Sequence, residues 1–187
     1  MYNIRRNVGI ELECSADRYY SIRSPYWENG RDCSVRWCGH EFRFNKPYSG
    51  QDVVTAVDAI TSWMKTTGFE VHGVGAGFHL HLDYSGVAHK ASGFINIADS
   101  IYPYLSTKFG QARKDNDYCN NTDGIYSRYR WIHCANIHYN RRQTVEIRLH
   151  HGTKTASKIL TWCELWSELS LQCDAGNIGI VRTKKQY

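Results

Sequence analysis

The sequence predicts an α+β fold: a mainly antiparallel sheet with helices packed on its apolar face. Three observations lead there. Several short stretches alternate apolar and polar residues at period two. Three longer stretches carry an apolar stripe at helical spacing. The helical stretches are set apart from most of the strand pairs, and no internal repeat is present. A chain of 187 residues suits one domain spanning 1–187 and is long enough to bury a core.

The elements follow in chain order. "NVGIELECS" (7–15) sets Val8, Ile10, Leu12 and Cys14 against Glu11 and Glu13. A turn-rich stretch containing "SPYWENGRD" runs to about residue 32, and "GHEFRFN" (39–45) alternates again, Phe42 and Phe44 opposing Glu41 and Arg43. Over 50–67 the period changes, with Val53, Val57, Ile60 and Met64 on one helix face; Ser49 and Asp52 resemble a capping box, and Gly68 suits the end. "GFHLHLD" (77–83) alternates clearly, Phe78, Leu80 and Leu82 opposing His79, His81 and Asp83. A second helix is predicted from about 89 to 108, bent or shortened by Pro103. Residues 110–127 read as a long polar loop of the kind that closes over a site. Two antiparallel strands, 128–139 and 143–151, and a helix over about 155–173 complete an order of β-β-β-α-β-α-β-β-α.

Composition narrows the function classes. No apolar run approaches a membrane span, and "MYNIRRNVGIELEC" lacks the apolar stretch of a signal peptide. The seven cysteines form no C-x-x-C pair, which speaks for reduced thiols in a cytoplasm and against a zinc knuckle or disulfide framework. The net charge of +5 is scattered apart from "NRRQ" and "VRTKKQY". That is weak evidence for nucleic acid and equally welcoming to anionic small molecules such as nucleotides.

The polar faces of the strands carry Glu11, Glu13, Glu41, Arg43, His79, His81, Glu146, Arg148 and His150. Solvent accounts for any one such face. Glutamate is somewhat disfavoured in strands, however, and pairs at i and i+2 repel, so the set makes better sense if a cation offsets that repulsion. Carboxylates suit Mg²⁺ or Mn²⁺, and imidazole tilts the choice toward Mn²⁺ or Zn²⁺. Arg43, Arg130 and Arg148 could grip phosphoryl oxygens. "GVGAGF" (73–78) reads as a turn, and "HGTKTAS" lacks the first half of a P-loop. Cys134 beside His133 or His138 is better read as a structural thiol than as a nucleophile.

These pieces, in this order, resemble the amidoligases of the glutamine synthetase/carboxylate–amine ligase superfamily: "VGIELEC", "DCSV" followed by "HEFRF", "GFHLHLD", "RYRWIHCANIHYN", and "TVEIRLHHGT" leading into "ILTWCELW". Together they span about residues 8–166. The chain departs in having "DCS" at 32–34 where D-G-S is usual, and Ala76 where a cysteine commonly precedes the double-histidine strand.

The resemblance implies a curved sheet with helices on its convex face and, on the concave face, ATP with Mg²⁺ or Mn²⁺. It implies ATP-dependent joining of a carboxylate to an amine through an acyl phosphate. Glu11, Glu13, Glu41, His79 and Glu146 would be metal ligands, with His81 as ligand or support. Arg148 would contact phosphate, and Arg130 and Asn136 would line the nucleotide or acyl-phosphate site. Glu146, Arg148 and Arg130 would thus carry the catalysis. The partners would be small-molecule or peptide carboxylates and amines, without nucleic acid or membrane, and homo-oligomerisation is left open. Two alternatives stand beside this: a metal-dependent phosphohydrolase or nuclease, and a degenerate ligase fold that binds nucleotide without turnover.

Overall fold

The computed structural model describes residues 1–32, 35, 38–71, 76–108, 119–120, 124–128, 130–137 and 142–177. Within them the order is β1 (Val8–Ala16), β2 (Trp27–Arg31), β3 (Cys38–Phe44), α1 (Gly50–Thr66), β4 (Gly77–Asp83), α2 (Ala91–Lys108), β5 (Ile132–Ile137), β6 (Arg142–His151) and α3 (Ala156–Asp174), with a short 3₁₀ turn, Ala88–Lys90, before α2. Most of the predicted 110–127 loop, Cys33 and Ser34 of the "DCSV" piece, the first half of "GVGAGF", His138 and the basic C-terminus lie outside the described residues.

The six strands form one sheet in the order β2-β3-β1-β4-β6-β5, and every neighbouring pair is antiparallel. The chain's first strand is therefore interior, flanked by β3 and β4. With side chains alternating across each strand, Val8, Ile10, Leu12 and Cys14 of β1 join Phe42 of β3 and Phe78, Leu80 and Leu82 of β4 in the core. Val145 and Ile147 of β6 extend that layer, and Val53, Val57, Ile60 and Met64 of α1, Phe94, Ile95 and Ala98 of α2, and Ile159, Cys163 and Trp166 of α3 cover it. Each large side chain buried this way is worth roughly 1.5–3 kcal/mol.

Two polar ties fix the layers. Trp27 Nε1 donates to the Ala56 carbonyl of α1 at 2.7 Å. Buried Arg6 donates to Ser170 Oγ of α3 at 2.7 Å and to the Asp83 carbonyl at 2.9 Å, pairs with Asp174, and stacks over Tyr84 at 4.3 Å. The Arg6 ties anchor the segment ahead of β1 to the last helix.

Helix α2 ends at Lys108 as predicted, with Pro103 inside it and no shortening there. Three expectations change. Residues 27–31, read as turns because of their Asn and Gly, pair with β3 as strand β2 at the sheet edge. Ser49 is the N-cap of α1, but its side chain makes no capping bond. The largest change is His150, expected beside Glu146 and Arg148. The β4–β6 register passes from Leu80↔Ile147 to Phe78↔His150, so Arg148 and Leu149 stand opposite the single His79. That bulge rotates His150 into the core, where it stacks on Trp162 at 4.1 Å and accepts a 2.7 Å bond from Trp166 Nε1.

No described helix is long and apolar enough to cross a membrane.

Candidate metal centre

The cluster arises from register. On the face away from the helices Glu11 stands opposite His79, Glu13 opposite Glu41, and Glu146 between His81 of β4 and His133 of β5. Five adjacent strands thus contribute acids or imidazoles to one surface.

His79 is the hub. Its Nδ1 lies 3.3 Å from Glu11 Oε2 and 3.4 Å from Glu146 Oε1, and its Nε2 lies 3.5 Å from Glu13 Oε1. His81 Nε2 lies 3.3 Å from Glu11 Oε1, and His133 Nε2 lies 3.1 Å from Glu146 Oε2. Glu11, His79 and Glu146 each present a ligand atom within 4.8 Å of the others. Glu13 accepts a 2.6 Å bond from the Gly77 backbone N–H, which anchors it at the end of β4. The imidazoles and Glu146 are more than nine-tenths buried.

The charges are mutually dependent. Burial works to raise the Glu146 carboxyl, but the charge of His81 and the bond from His133 outweigh it and hold it at about 2. Glu11 is only partly buried, and although desolvation works to raise its carboxyl, His81 and His79 hold it well below the ordinary carboxylate range. Burial opposes charge on His81, while Glu11 and Glu146 overcome it and push it up to about 9. Glu41 shows the reverse: burial, then the charge of Glu11, raises it to about 7. Protons on imidazole and on Glu41 relieve a crowd of carboxylates that a divalent cation would relieve equally well.

The donor set fits such a cation. The Nε2 atoms of His79 and His81 are buried and make no hydrogen bond among the described residues, although each faces a carboxylate. Carboxylate oxygens with imidazole nitrogens suit Mn²⁺, Zn²⁺ or, through the oxygens, Mg²⁺.

The remaining predicted residues divide. Arg148 joins the cluster, with Nη1 3.5 Å from Glu146 Oε1 and donating to the Arg128 carbonyl at 3.0 Å. Arg43 stands at the rim, half exposed, 3.7 Å from Glu41. The Arg130 guanidinium is engaged by Asp99 of α2 and is not brought to the cluster. Asn136 pairs with Gln143 in the β5–β6 ladder, and its side chain lies outside the described residues.

Sequence reasoning missed two residues here. His133 was weighed only as a base for Cys134, a half-buried thiol that burial pushes up rather than activates. Thr144 stands beside the His81 ring, 3.3 Å from Nδ1. The available signal was the alternation of Ile132 and Cys134 about His133, but only the β5–β6 register delivers it to Glu146.

A cavity of about 460 Å³ lies at the start of α3, lined by Glu70, Val71, Gly152, Thr153, Lys154 and Thr155. Gly152 packs against the Glu13 carbonyl, so the cavity adjoins the Glu13 end of β1. Neither the protein-family models nor the curated proteins give a match to this chain.

Proposed function

We propose that the protein is an ATP-dependent carboxylate–amine ligase with a glutamine synthetase-like sheet, forming an amide through an acyl phosphate. The observation that carries this reading is the convergence of Glu11, His79 and Glu146, from three adjacent strands, beside the guanidinium of Arg148. The order of sequence pieces resembling amidoligases supports it. Mg²⁺ or Mn²⁺ held by Glu11, His79 and Glu146, with Glu13 and Glu41 alongside, would supply charge to offset the nucleotide phosphates.

The chain's own groups then have separate tasks. Arg148, which donates to the Arg128 carbonyl, would hold phosphoryl oxygens of a bound nucleotide. Glu13, fixed by the Gly77 N–H, keeps the far edge of the face in place. Burial of His79, His81 and Glu146 keeps bulk water from the reacting carboxyl, which an acyl phosphate requires. The cavity beside Gly152 and Lys154 has room for the carboxylate substrate or the amine.

The test is incubation with ATP, Mg²⁺ or Mn²⁺, and panels of carboxylates and amines, following ADP and amide by mass spectrometry. Amide and ADP in equal amounts, lost in Glu146→Gln and Glu13→Ala, is the expected result. Cleavage of phosphoesters without ATP would identify a metal-dependent hydrolase instead, and nucleotide binding without turnover under any metal a binding protein.

A further inference from the structure

The two edges of the sheet differ. On β5 the Cys134 N–H donates to the Ile125 carbonyl at 2.7 Å, so the segment around Ile125 covers that edge. Edge strand β2 has no such cover among the described residues. Its pairing with β3 decides which groups are used. The Asn45 N–H donates to the Tyr26 carbonyl and the Asp32 N–H to the Gly39 carbonyl, with Glu28 opposite Arg43 and Gly30 opposite Glu41 between them. Even-numbered residues therefore bond to β3, and alternation turns the backbone N–H and C=O of Trp27, Asn29 and Arg31 to the open side. Among the described residues these groups have no hydrogen-bond partner.

Asn29 uses its side chain elsewhere. It accepts from the Ile22 N–H at 3.2 Å and donates to the Tyr20 carbonyl at 2.8 Å. Those contacts lie on the helix side, where Tyr20 packs on Trp63 and Phe69. They draw the chain ahead of β2 under the sheet and leave the edge itself unpaired.

An unpaired edge is a template for a further strand, and the sequence of β2 fits a second copy of itself. Outward-facing residues must meet outward-facing residues, so two antiparallel copies slide only by two residues at a time. Centring the pair on Asn29 sets Glu28 across from Gly30 of the second copy, and Arg31 across from Trp27. Sliding one way sets Glu28 across from Glu28, and sliding the other way sets it across from Asp32. Like charges directly opposite one another destabilise a strand pair. In the centred register Glu28 meets no side chain, and it keeps Arg43 of its own sheet on its other flank.

We propose that two copies of the chain associate edge to edge through β2, antiparallel and centred on Asn29, so that one sheet continues into the other. The contact is isologous, as a two-fold dimer requires. Both candidate metal centres then open on the same side of the joined sheet, with their β1 strands about 24 Å apart at the usual strand spacing. A strand of five residues buries little surface, so the association is weak and depends on concentration. The inference is independent of the ligase reading.

The test is sedimentation velocity of the full chain over a range of concentrations, with amide hydrogen exchange followed by NMR on the same samples. Dimer should grow with concentration. The amides of Trp27, Asn29 and Arg31 should slow as it grows, while those of Glu28 and Gly30 change far less. Gly30→Glu sets a like charge against Glu28 and is expected to weaken association about fivefold or more, whereas Gly30→Lys is expected to strengthen it by a similar factor. A Cβ at Gly30 meets only the end of Arg43, at 4.0 Å, so both variants keep the monomer fold, which circular dichroism checks. A monomer at every concentration overturns the proposal. So does a dimer in which the three amides exchange as in the monomer, or in which both Gly30 variants act alike. Protection of those amides only on addition of an unrelated extended peptide would give the edge to a different partner and overturn self-pairing.

Discussion

His133 and Glu146 meet at 3.1 Å across the β5–β6 ladder, and through that contact the last strand pair is tied to a cluster otherwise built from β3, β1 and β4. Glu146 uses its other oxygen toward His79 and Arg148. It faces His79, His133 and Arg148 at once, and the first prediction concerns it.

Glu146→Gln keeps the shape and removes the charge that three imidazoles and Arg148 face. Divalent-ion affinity should fall about tenfold or more. Isothermal titration calorimetry with Mn²⁺ measures it, with circular dichroism to confirm that the sheet persists. Unchanged affinity would remove Glu146 from the ligand set.

Stability of the metal-free protein should depend on pH in a defined direction. His81 is raised from 6.5 to about 9, so its contribution is complete below about 6.5 and is lost as pH rises toward 9. Glu146 is lowered from 4.5 to about 2, so its contribution is present above about 4.5 and is lost as pH falls toward 2. Thermal melts in chelator should therefore give the highest midpoint between about pH 4.5 and 6.5. Added Mn²⁺ should stabilise increasingly as pH rises, because ligating imidazoles must be free of protons. A metal-free midpoint that climbs from pH 6.5 to 9 would contradict the charge pattern.

Gly152→Ala places a methyl group against Val71 Cγ1 and 3.1 Å from the Ala76 carbonyl. Overpacking of this kind costs about 1–3 kcal/mol. Urea denaturation should report that loss. No loss would mean that the segment around Val71 moves aside.

Trp166→Phe retains the ring packing but removes the donor to His150 Nε2. A buried acceptor deprived of its donor costs about 1–3 kcal/mol. Metal affinity should remain unchanged, since His150 lies on the core side of the sheet. Chemical denaturation and Mn²⁺ titration of the same sample separate the two effects.

Much of the sheet was legible because alternation in β1, β3 and β4 is nearly unbroken, and Glu11, Glu13, Glu41, His79 and His81 all lie on those strands. Edge strand β2 was hidden, since its pairing with β3 overrides the turn preference of Asn29 and Gly30. His150 was misplaced because one bulge reverses the faces beyond it, and alternation cannot reveal a bulge. His133 was overlooked for a related reason. Its neighbour across the sheet is set by strand pairing, which carries no local sequence mark. Arg130 reads as a phosphate grip in sequence, yet α2 supplies Asp99 to pair with it.

The strand order has a bearing on biogenesis. Glu11 is synthesised well before Glu146, and the two meet only after β4 and β6 have joined β1. Closing such a distant pairing is slow relative to forming local turns. During synthesis the carboxylates of β1 therefore stand without their counterpart on β6, and an ion that needs both would bind only once those strands have paired.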